Sequence, residues 1–225
     1  MEKLRLNKYL ASVGIAARRK VDEMIRASQV KVNGVVAKLG MVVTPDRDKI
    51  EVKGRVVGGA HKPIYIMVNK PVGVVAAVTD EQRKTVVELV NWPDRLFPVG
   101  RLDVDSEGLV LLTNDGELAY RLTHPKFGVV KEYEVEVVGR LTQMGLAKLR
   151  EGVRVGGEKT LPAVVERMGE GKLRLVIKEG KNRQVRRMCK AVNLEVVKLK
   201  RVAIGNLRIG DLKPGEWREV SGKVA

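Results

Sequence analysis

Gly100-Arg101-Leu102-Asp103-Val104-Asp105-Ser106-Glu107-Gly108-Leu109-Val110-Leu111-Leu112-Thr113 sets three closely spaced acids against an unbroken apolar run. The acids and the glycine that follows them match the opening of a calcium loop. Such a loop completes its oxygen cage with a bidentate glutamate at position twelve. Counted from Asp103, that position is Asn114, and Leu109–Leu112 are too apolar to continue a solvated loop. The calcium reading fails at its most discriminating residue. A second reading pairs two of the carboxylates as general acid and base, the arrangement glycosidases use. If the segment is extended, residues two apart share a face and neighbours alternate, so the spacing alone leaves this open. A third reading is an acidic turn entering a buried strand.

The surrounding segments are also β-rich. Ile64–Val68, Val72–Val78, Tyr133–Val138 and Leu173–Ile177 carry β-branched and aromatic residues, as strands do. Helices are expected at Thr85–Val90, at Glu117–Leu122 after an Asn-Asp-Gly turn, and at Thr142–Arg150. Strands and helices do not alternate strictly, which argues against a doubly wound parallel sheet. An α+β domain with a mixed, mostly antiparallel sheet is expected over residues 64–225.

Residues 1–58 read as a separate small module. Leu6, Tyr9, Leu10 and Val13 form the stripe of an amphipathic helix that Gly14 can end. Val21, Met24, Ile25 and Ser28 repeat that spacing, with Arg18, Arg19 and Lys20 in the first turn. Val30–Val32 and Val35-Val36 flank Asn33-Gly34, the strongest short hairpin signal, and Ile50–Val52 alternates like a further strand. Paired glycines and a proline in Gly58–Pro63 suggest a linker over residues 59–63.

Charge narrows the function. Forty-three Lys and Arg against 27 Asp and Glu give a net charge of +16. Residues 1–60 hold 13 basic and 6 acidic residues, and residues 178–201 hold 9 and 2. Two separated basic concentrations fit two contacts on one long polyanion. No apolar run approaches the roughly 18 residues of a membrane span, so no membrane role is expected. The single Cys189 excludes an internal disulfide framework and fits a reducing, cytoplasmic setting. His61 and His124 have no second ligand at metal spacing, Cys189 reads as a packed thiol, and Trp92 and Trp217 read as structural.

The second constellation is Glu179-Gly180-Lys181-Asn182-Arg183-Gln184-Val185-Arg186-Arg187-Met188-Cys189-Lys190. Val185, Met188, Cys189 and Val192 make an apolar stripe. Arg183, Arg186, Arg187 and Lys190 share its spacing on an adjacent face, so a docked helix presenting a row of cations is expected. Guanidinium groups fork onto phosphate or carboxylate oxygens.

Taken together these motifs resemble the ribosomal pseudouridine synthases that modify single uridines. Gly100-Arg101-Leu102-Asp103, Ser106–Leu109 and Thr113–Gly116 carry the resemblance, with Asn69–Gly73, Lys131–Tyr133, Glu179–Met188 and Leu199–Gly205 in order around them. The N-terminal segment is similar to the RNA-binding module shared with ribosomal protein S-four, except that Ala16-Ala17 replaces a capping serine. The resemblance implies site-specific isomerisation of uridine to pseudouridine in ribosomal RNA by base flipping, without cofactor or metal. Asp103 takes the position of the single essential aspartate, Arg186 that of its ion-pair partner, and Tyr133 that of the tyrosine stacked on the base.

Expected RNA contacts are Lys8, Arg18, Arg19, Lys20, Arg26 and Lys31 in the module. In the catalytic domain they are Lys70, Arg101, Lys181, Arg183, Arg187, Lys200 and Arg201. With 4% aromatic residues, an extended stacking platform is not expected, and phosphate contacts should dominate affinity. The partner is ribosomal RNA, free or in assembling subunits, bound by a monomer. A non-catalytic RNA-binding or ribosome-assembly protein is the competing reading, and an acid set among cations counts against it.

Overall fold

The computed structural model describes residues 3–58 and 62–220; Gly59, Ala60 and His61 of the expected linker lie outside the described residues. The chain divides into two compact units, Met1–Pro63 and Ile64–Ala225. No helix among the described residues is long and apolar enough to cross a membrane.

In the first unit β1 (Leu4–Arg5) leads into helix α1 (Leu6–Ser12), then α2 (Arg18–Arg26), β2 (Val30–Val32), β3 (Val35–Val36), β4 (Val42–Val43), β5 (Ile50–Val52) and β6 (Arg55–Val57). The four-stranded sheet has the order β3-β2-β5-β6, and β1 pairs with β4. Leu6, Leu10, Val21, Ile25, Val30 and Ile50 close one small core. Asn33 and Gly34 both take positive φ, as a two-residue hairpin turn requires. One expectation is corrected and one holds. The second helix stops before Ser28, whose φ of 56° turns the chain toward β2, so Ser28 is not on its stripe. Its N-cap, Ala17, makes no side-chain hydrogen bond, as an alanine must not.

The second unit is built on a nine-stranded sheet. Its elements are β7 (Tyr65–Lys70), α3 (Val86–Val90), β8 (Phe97–Pro98), β9 (Glu107–Thr113), α4 (Gly116–Thr123), a 3₁₀ turn (Pro125–Phe127), β10 (Lys131–Val138), α5 (Gln143–Glu151), β11 (Arg154–Val155), β12 (Glu158–Lys159), β13 (Val164–Gly169), β14 (Lys172–Ile177), α6 (Gln184–Lys190), β15 (Glu195–Ile204), β16 (Leu207–Arg208) and β17 (Trp217–Glu219). The main order is β13-β14-β10-β15-β9-β7-β17. Every neighbouring pair is antiparallel except β15 and β9, which run parallel and meet at Lys200–Glu107 and Arg201–Gly108. The domain is therefore α+β with a mixed, mostly antiparallel sheet.

Strand β9 shows why its sequence is unbroken in hydrophobicity. Val110 and Leu112 enter the larger core with Ile66, Val68 and Val135, whereas Leu109 and Leu111 enter a second core with Leu118, Leu122 and Ile204. A strand covered on both faces has no polar side to display. Helix starts follow local chemistry. Thr85 and Glu88 form a reciprocal capping box before α3, Asp115 accepts from the amides of Glu117 and Leu118 before α4, and Thr142 caps α5.

One expected strand is absent. Val72–Val78 is a loop, with only an isolated bridge between Val75 and Thr85. Gly73 takes a φ of 89° and donates its amide to the Val104 carbonyl. Beneath it the buried Lys70 ammonium donates to the carbonyls of Pro71 (2.9 Å) and Val74 (2.8 Å). Carbonyls turned inward onto a cation cannot also serve a sheet ladder.

Candidate active site

Asp103 and Asp105 sit in a turn, not in an extended strand: the Ser106 amide donates to the Asp103 carbonyl at 3.1 Å before β9 begins at Glu107. Each acid meets a cation. Arg183 places Nη1 3.7 Å from Asp103 Oδ2 and Nη2 2.8 Å from Asp105 Oδ2. Arg186 donates from Nη2 to the Asp105 carbonyl at 2.8 Å and the Ser106 hydroxyl at 3.2 Å, and stands 3.3 Å from Asp105 Oδ1. Lys198 lies 3.3 Å from Glu107. Burial alone would raise Asp105, but the Arg183 hydrogen bond and the two guanidinium charges outweigh it and hold that carboxyl below the usual range. Among the described residues no cluster of His, Cys, Asp or Glu is placed to hold a metal ion.

The expected partnership of Asp103 with Arg186 is thus redrawn. Arg183 is the guanidinium nearest Asp103, and Arg186 braces the turn through Asp105 and Ser106. The cause is the start of α6. Arg183 is its N-cap, with left-handed backbone angles of 49° and 33°, so its side chain leaves the helical row and reaches across the turn. Arg186 stays in the helix, largely buried, and also donates to the Val196 carbonyl at 3.0 Å. The row of exposed cations expected along α6 is therefore broken at Arg186.

Asp103 opens onto a cavity of about 270 Å³. Its wall includes Tyr133, Lys131, Arg183, Arg201, Leu102 and Ile204, from the acidic turn, β10, α6 and β15. Tyr133 and Arg201 face each other across the β10–β15 pairing, and Lys131 lies two residues before Tyr133 on the same strand. Tyr133 is only 7% exposed, so one part of the ring packs in the core while another meets the cavity. Arg201 is held by the carbonyls of Leu109 (2.8 Å) and Arg101 (3.2 Å), while its buried Nη2 has no hydrogen-bond partner among the described residues. Burial, and then the charge of Arg201, lower the Lys131 ammonium below its ordinary value. A cavity lined by one carboxylate, one tyrosine and five cations, Arg101, Lys131, Lys181, Arg183 and Arg201, can hold a flat, polar ring and accept negative charge on it.

The remaining expected RNA contacts divide by exposure. Arg18, Arg19, Lys20, Arg26 and Lys31 are exposed in the first unit, Lys20 in an ion pair with Glu23 at 2.8 Å, and Lys8 is half-buried. Arg101, Lys181, Arg183 and Arg187 are exposed in the second unit, and Lys200 is half-buried. Lys181 is engaged by Glu158 at 2.6 Å. Lys70 is corrected: it is buried and spends its ammonium on the Pro71 and Val74 carbonyls, so it does not reach an RNA backbone at the surface. Arg201 is buried too, with Nε and Nη1 on carbonyls, and meets only the cavity. Burial pushes the Lys70 amine down to about 8, against the pull of Asp105 and Asp103. Sequence reasoning had missed Ser106 and Lys131. Ser106 looks like filler between two acids, and only its complete burial marks it. Lys131 carried a signal in its spacing of two from Tyr133.

Cys189 is buried, its thiol pushed up to about 12 by desolvation, and His124 Nδ1 accepts the Lys126 amide at 3.2 Å. Trp92 and Trp217 pack edge to face at 5.9 Å.

Comparison with known proteins gives this geometry a family. Residues 64–191 match the model described as RNA pseudouridylate synthase, and residues 4–48 match the S4 domain. The chain is 44% identical to the ribosomal large subunit pseudouridine synthase B of Bacillus subtilis, covering 96% of this chain and 92% of that protein. It is 37% identical to the dual-specificity RNA pseudouridine synthase RluF of Escherichia coli, covering 97% of this chain and 76% of that one. A crystal structure of a pseudouridylate synthase superposes with a TM-score of 0.71 at 34% identity, over 97% of this chain and 96% of the other. With its aspartate-lined cavity on a mixed sheet and an S4 domain ahead of it, this chain belongs to the RNA pseudouridine synthases.

Proposed function

We propose that the protein isomerises a specific uridine of ribosomal RNA, with Asp103 as its catalytic carboxylate. Residues 64–225 are the catalytic domain, residues 1–58 the module that holds the RNA, and residues 59–63 the link between them. The name of the Bacillus subtilis relative points to ribosomal RNA and makes large-subunit RNA the first transcript to try. The observation that carries the reading is Asp103 on the wall of a ring-sized cavity, with Tyr133 of β10 on the same wall and Arg183 at 3.7 Å.

The reaction breaks the C1′–N1 bond, turns the uracil ring, forms C1′–C5, removes the C5 proton and returns a proton to N1. Asp103 acts on the sugar, either by adding to C1′ or by steadying an oxocarbenium-like centre and taking the neighbouring sugar proton. Both routes detach uracil as an anion. Lys131 and Arg201 are the cations facing that charge, and Tyr133 stacks on the ring. Arg183 holds the Asp105 carboxyl ionised and stands beside Asp103, and Arg186 keeps the turn in place. No metal or cofactor enters these steps. The exposed Arg18, Arg19, Arg26 and Lys31, with Arg101 and Arg187, take RNA phosphates, which repays the few kcal/mol of base extrusion. The protein works in this reading as a cytoplasmic monomer.

The test incubates wild-type protein with unmodified transcripts of both ribosomal RNAs and maps pseudouridine by carbodiimide-dependent reverse-transcription stops. One new stop, lost in Asp103→Asn while RNA affinity is kept, is the expected result. Full turnover by Asp103→Asn would overturn the role of Asp103. Absence of any stop, on free RNA and on assembly intermediates, would overturn the activity.

A further inference from the structure

Few as they are, the aromatic residues are not scattered. Tyr120 on α4 lies 4.9 Å from His124 and 5.6 Å from Phe127 between ring centroids, and His124 lies 6.4 Å from Phe127. Tyr120 and Phe127 are each 42% exposed, and His124 and Lys126 are exposed with them. Lys126 holds its ammonium 4.9 Å from the Tyr120 ring and 4.7 Å from the Phe127 ring. Three rings and a cation on one surface are more than packing requires, since none of them closes a core.

Position gives the cluster a purpose. Tyr120 and Thr123 are three residues apart on α4 and are surface neighbours. Leu122 and Thr123 line the Asp103 cavity, and the Thr123 methyl lies 3.4 Å from where a Cβ on Gly100 would stand. The aromatic surface therefore continues from the rim of the cavity that receives the target ring. A nucleotide pulled out of its stack leaves its neighbours without a stacking partner, and RNA-binding proteins supply one with exposed rings beside a cation.

We propose that Tyr120, His124 and Phe127, with Lys126, form a stacking site for an unpaired base of the RNA strand adjacent to the target uridine. This rests on the RNA-modifying reading above. The site explains how a chain poor in aromatic residues can grip single-stranded RNA next to its cavity. Lys126, drawn off the rings, is placed to meet the phosphate of the stacked nucleotide.

The test uses the full chain and 4-thiouridine-substituted transcripts of the large-subunit RNA. After irradiation, crosslinked peptides are identified by mass spectrometry, and dissociation constants are measured for Tyr120→Leu, Tyr120→Trp, Phe127→Leu and Lys126→Ala. A crosslink within residues 120–127 is expected. Tyr120→Leu and Phe127→Leu should each weaken binding by roughly 5- to 100-fold, the range of one lost base stack. Tyr120→Trp should keep wild-type affinity, and Lys126→Ala should lower the salt slope by about one. Leucine variants that bind within twofold of wild type, or no crosslink to this segment, would overturn the proposal. Both readouts are independent of turnover. A protein that crosslinks here yet forms no pseudouridine would refute the activity and leave the stacking site standing.

Discussion

Replacing Gly108 by alanine tests how strictly the acidic turn is tied to the sheet. Gly108 takes a φ of 116° where β9 meets β15, and a Cβ built there would lie 2.3 Å from the Arg201 carbonyl oxygen and 2.5 Å from its nitrogen. The first distance is more than 1 Å inside an ordinary contact of roughly 3.5 Å. The obstacle is backbone on both counts, so no side chain can swing aside. Backbone strain at this φ costs about 1–3 kcal/mol, and overpacking a similar amount. A total of roughly 3–5 kcal/mol is a large part of a domain's stability and lowers the melting temperature of a unit of this size by about 10 °C. The damage should also reach the site, because Arg201 is fixed by the carbonyls of Leu109 and Arg101 on either side of the turn. Gly116→Ala is the control. Gly116 opens α4 with nothing within 4 Å of a built Cβ, so it should be neutral or slightly stabilising. Circular dichroism melts of both variants, with single-turnover rates on the mapped RNA, read the comparison. A Gly108→Ala protein that melts within 2 °C of wild type, a figure well under the roughly 10 °C expected, would refute the reasoning.

Arg183 spans two carboxylates, a geometry an ammonium cannot copy, so Arg183→Lys as well as Arg183→Ala should slow single-turnover isomerisation, the alanine by roughly 10- to 100-fold. Wild-type rates in the lysine variant would remove the fork from the mechanism. Lys70 makes stability depend on alkaline pH. Its folded value is lowered from 10.5 to about 8, so between those values the unfolded chain binds more protons and stability rises with pH. Urea unfolding of wild type against Lys70→Met should show a gap that shifts in favour of wild type, by on the order of 3 kcal/mol across that window. A gap independent of pH would mean that the amine titrates normally. Cys189, buried with its thiol pushed up to about 12, should stay unreactive toward an aromatic disulfide reagent at pH 8 until urea unfolds the domain. Prompt labelling of folded protein would contradict that burial.

Much of this was legible in the sequence because local chemistry and tertiary environment agree. The Asn33-Gly34 hairpin, the Thr85–Glu88 capping box and the two-sided apolar run of β9 each state locally what the fold uses. The loop at Val72–Val78 was not legible, because its β-branched residues are overruled by a buried ammonium from the preceding strand. Lys70 and Arg201 look like any surface cation in a basic chain, and only the three-dimensional fold shows where their donors go. The partners of Asp103 were hidden for a similar reason. A single left-handed residue at Arg183 re-aims a side chain that helical spacing assigns to another face. The aromatic surface was missed because composition counts residues and is blind to their clustering.

The parallel junction of β9 with β15 has a consequence in time as well as space. Residue 108 must wait for residue 201 before the parallel pairing between them can form, and β17 then pairs with β7 along Ile66–Val68. Contacts so distant along the chain form late and slowly. On the ribosome, Asp103 emerges long before the strand that supplies Arg201, so a growing chain has the carboxylate without its setting. The S4 domain, whose small core uses only residues up to Val57, can close far earlier. A partly made chain would then be able to hold RNA before it can act on it, and its chemistry would be withheld until translation of the sheet is nearly complete.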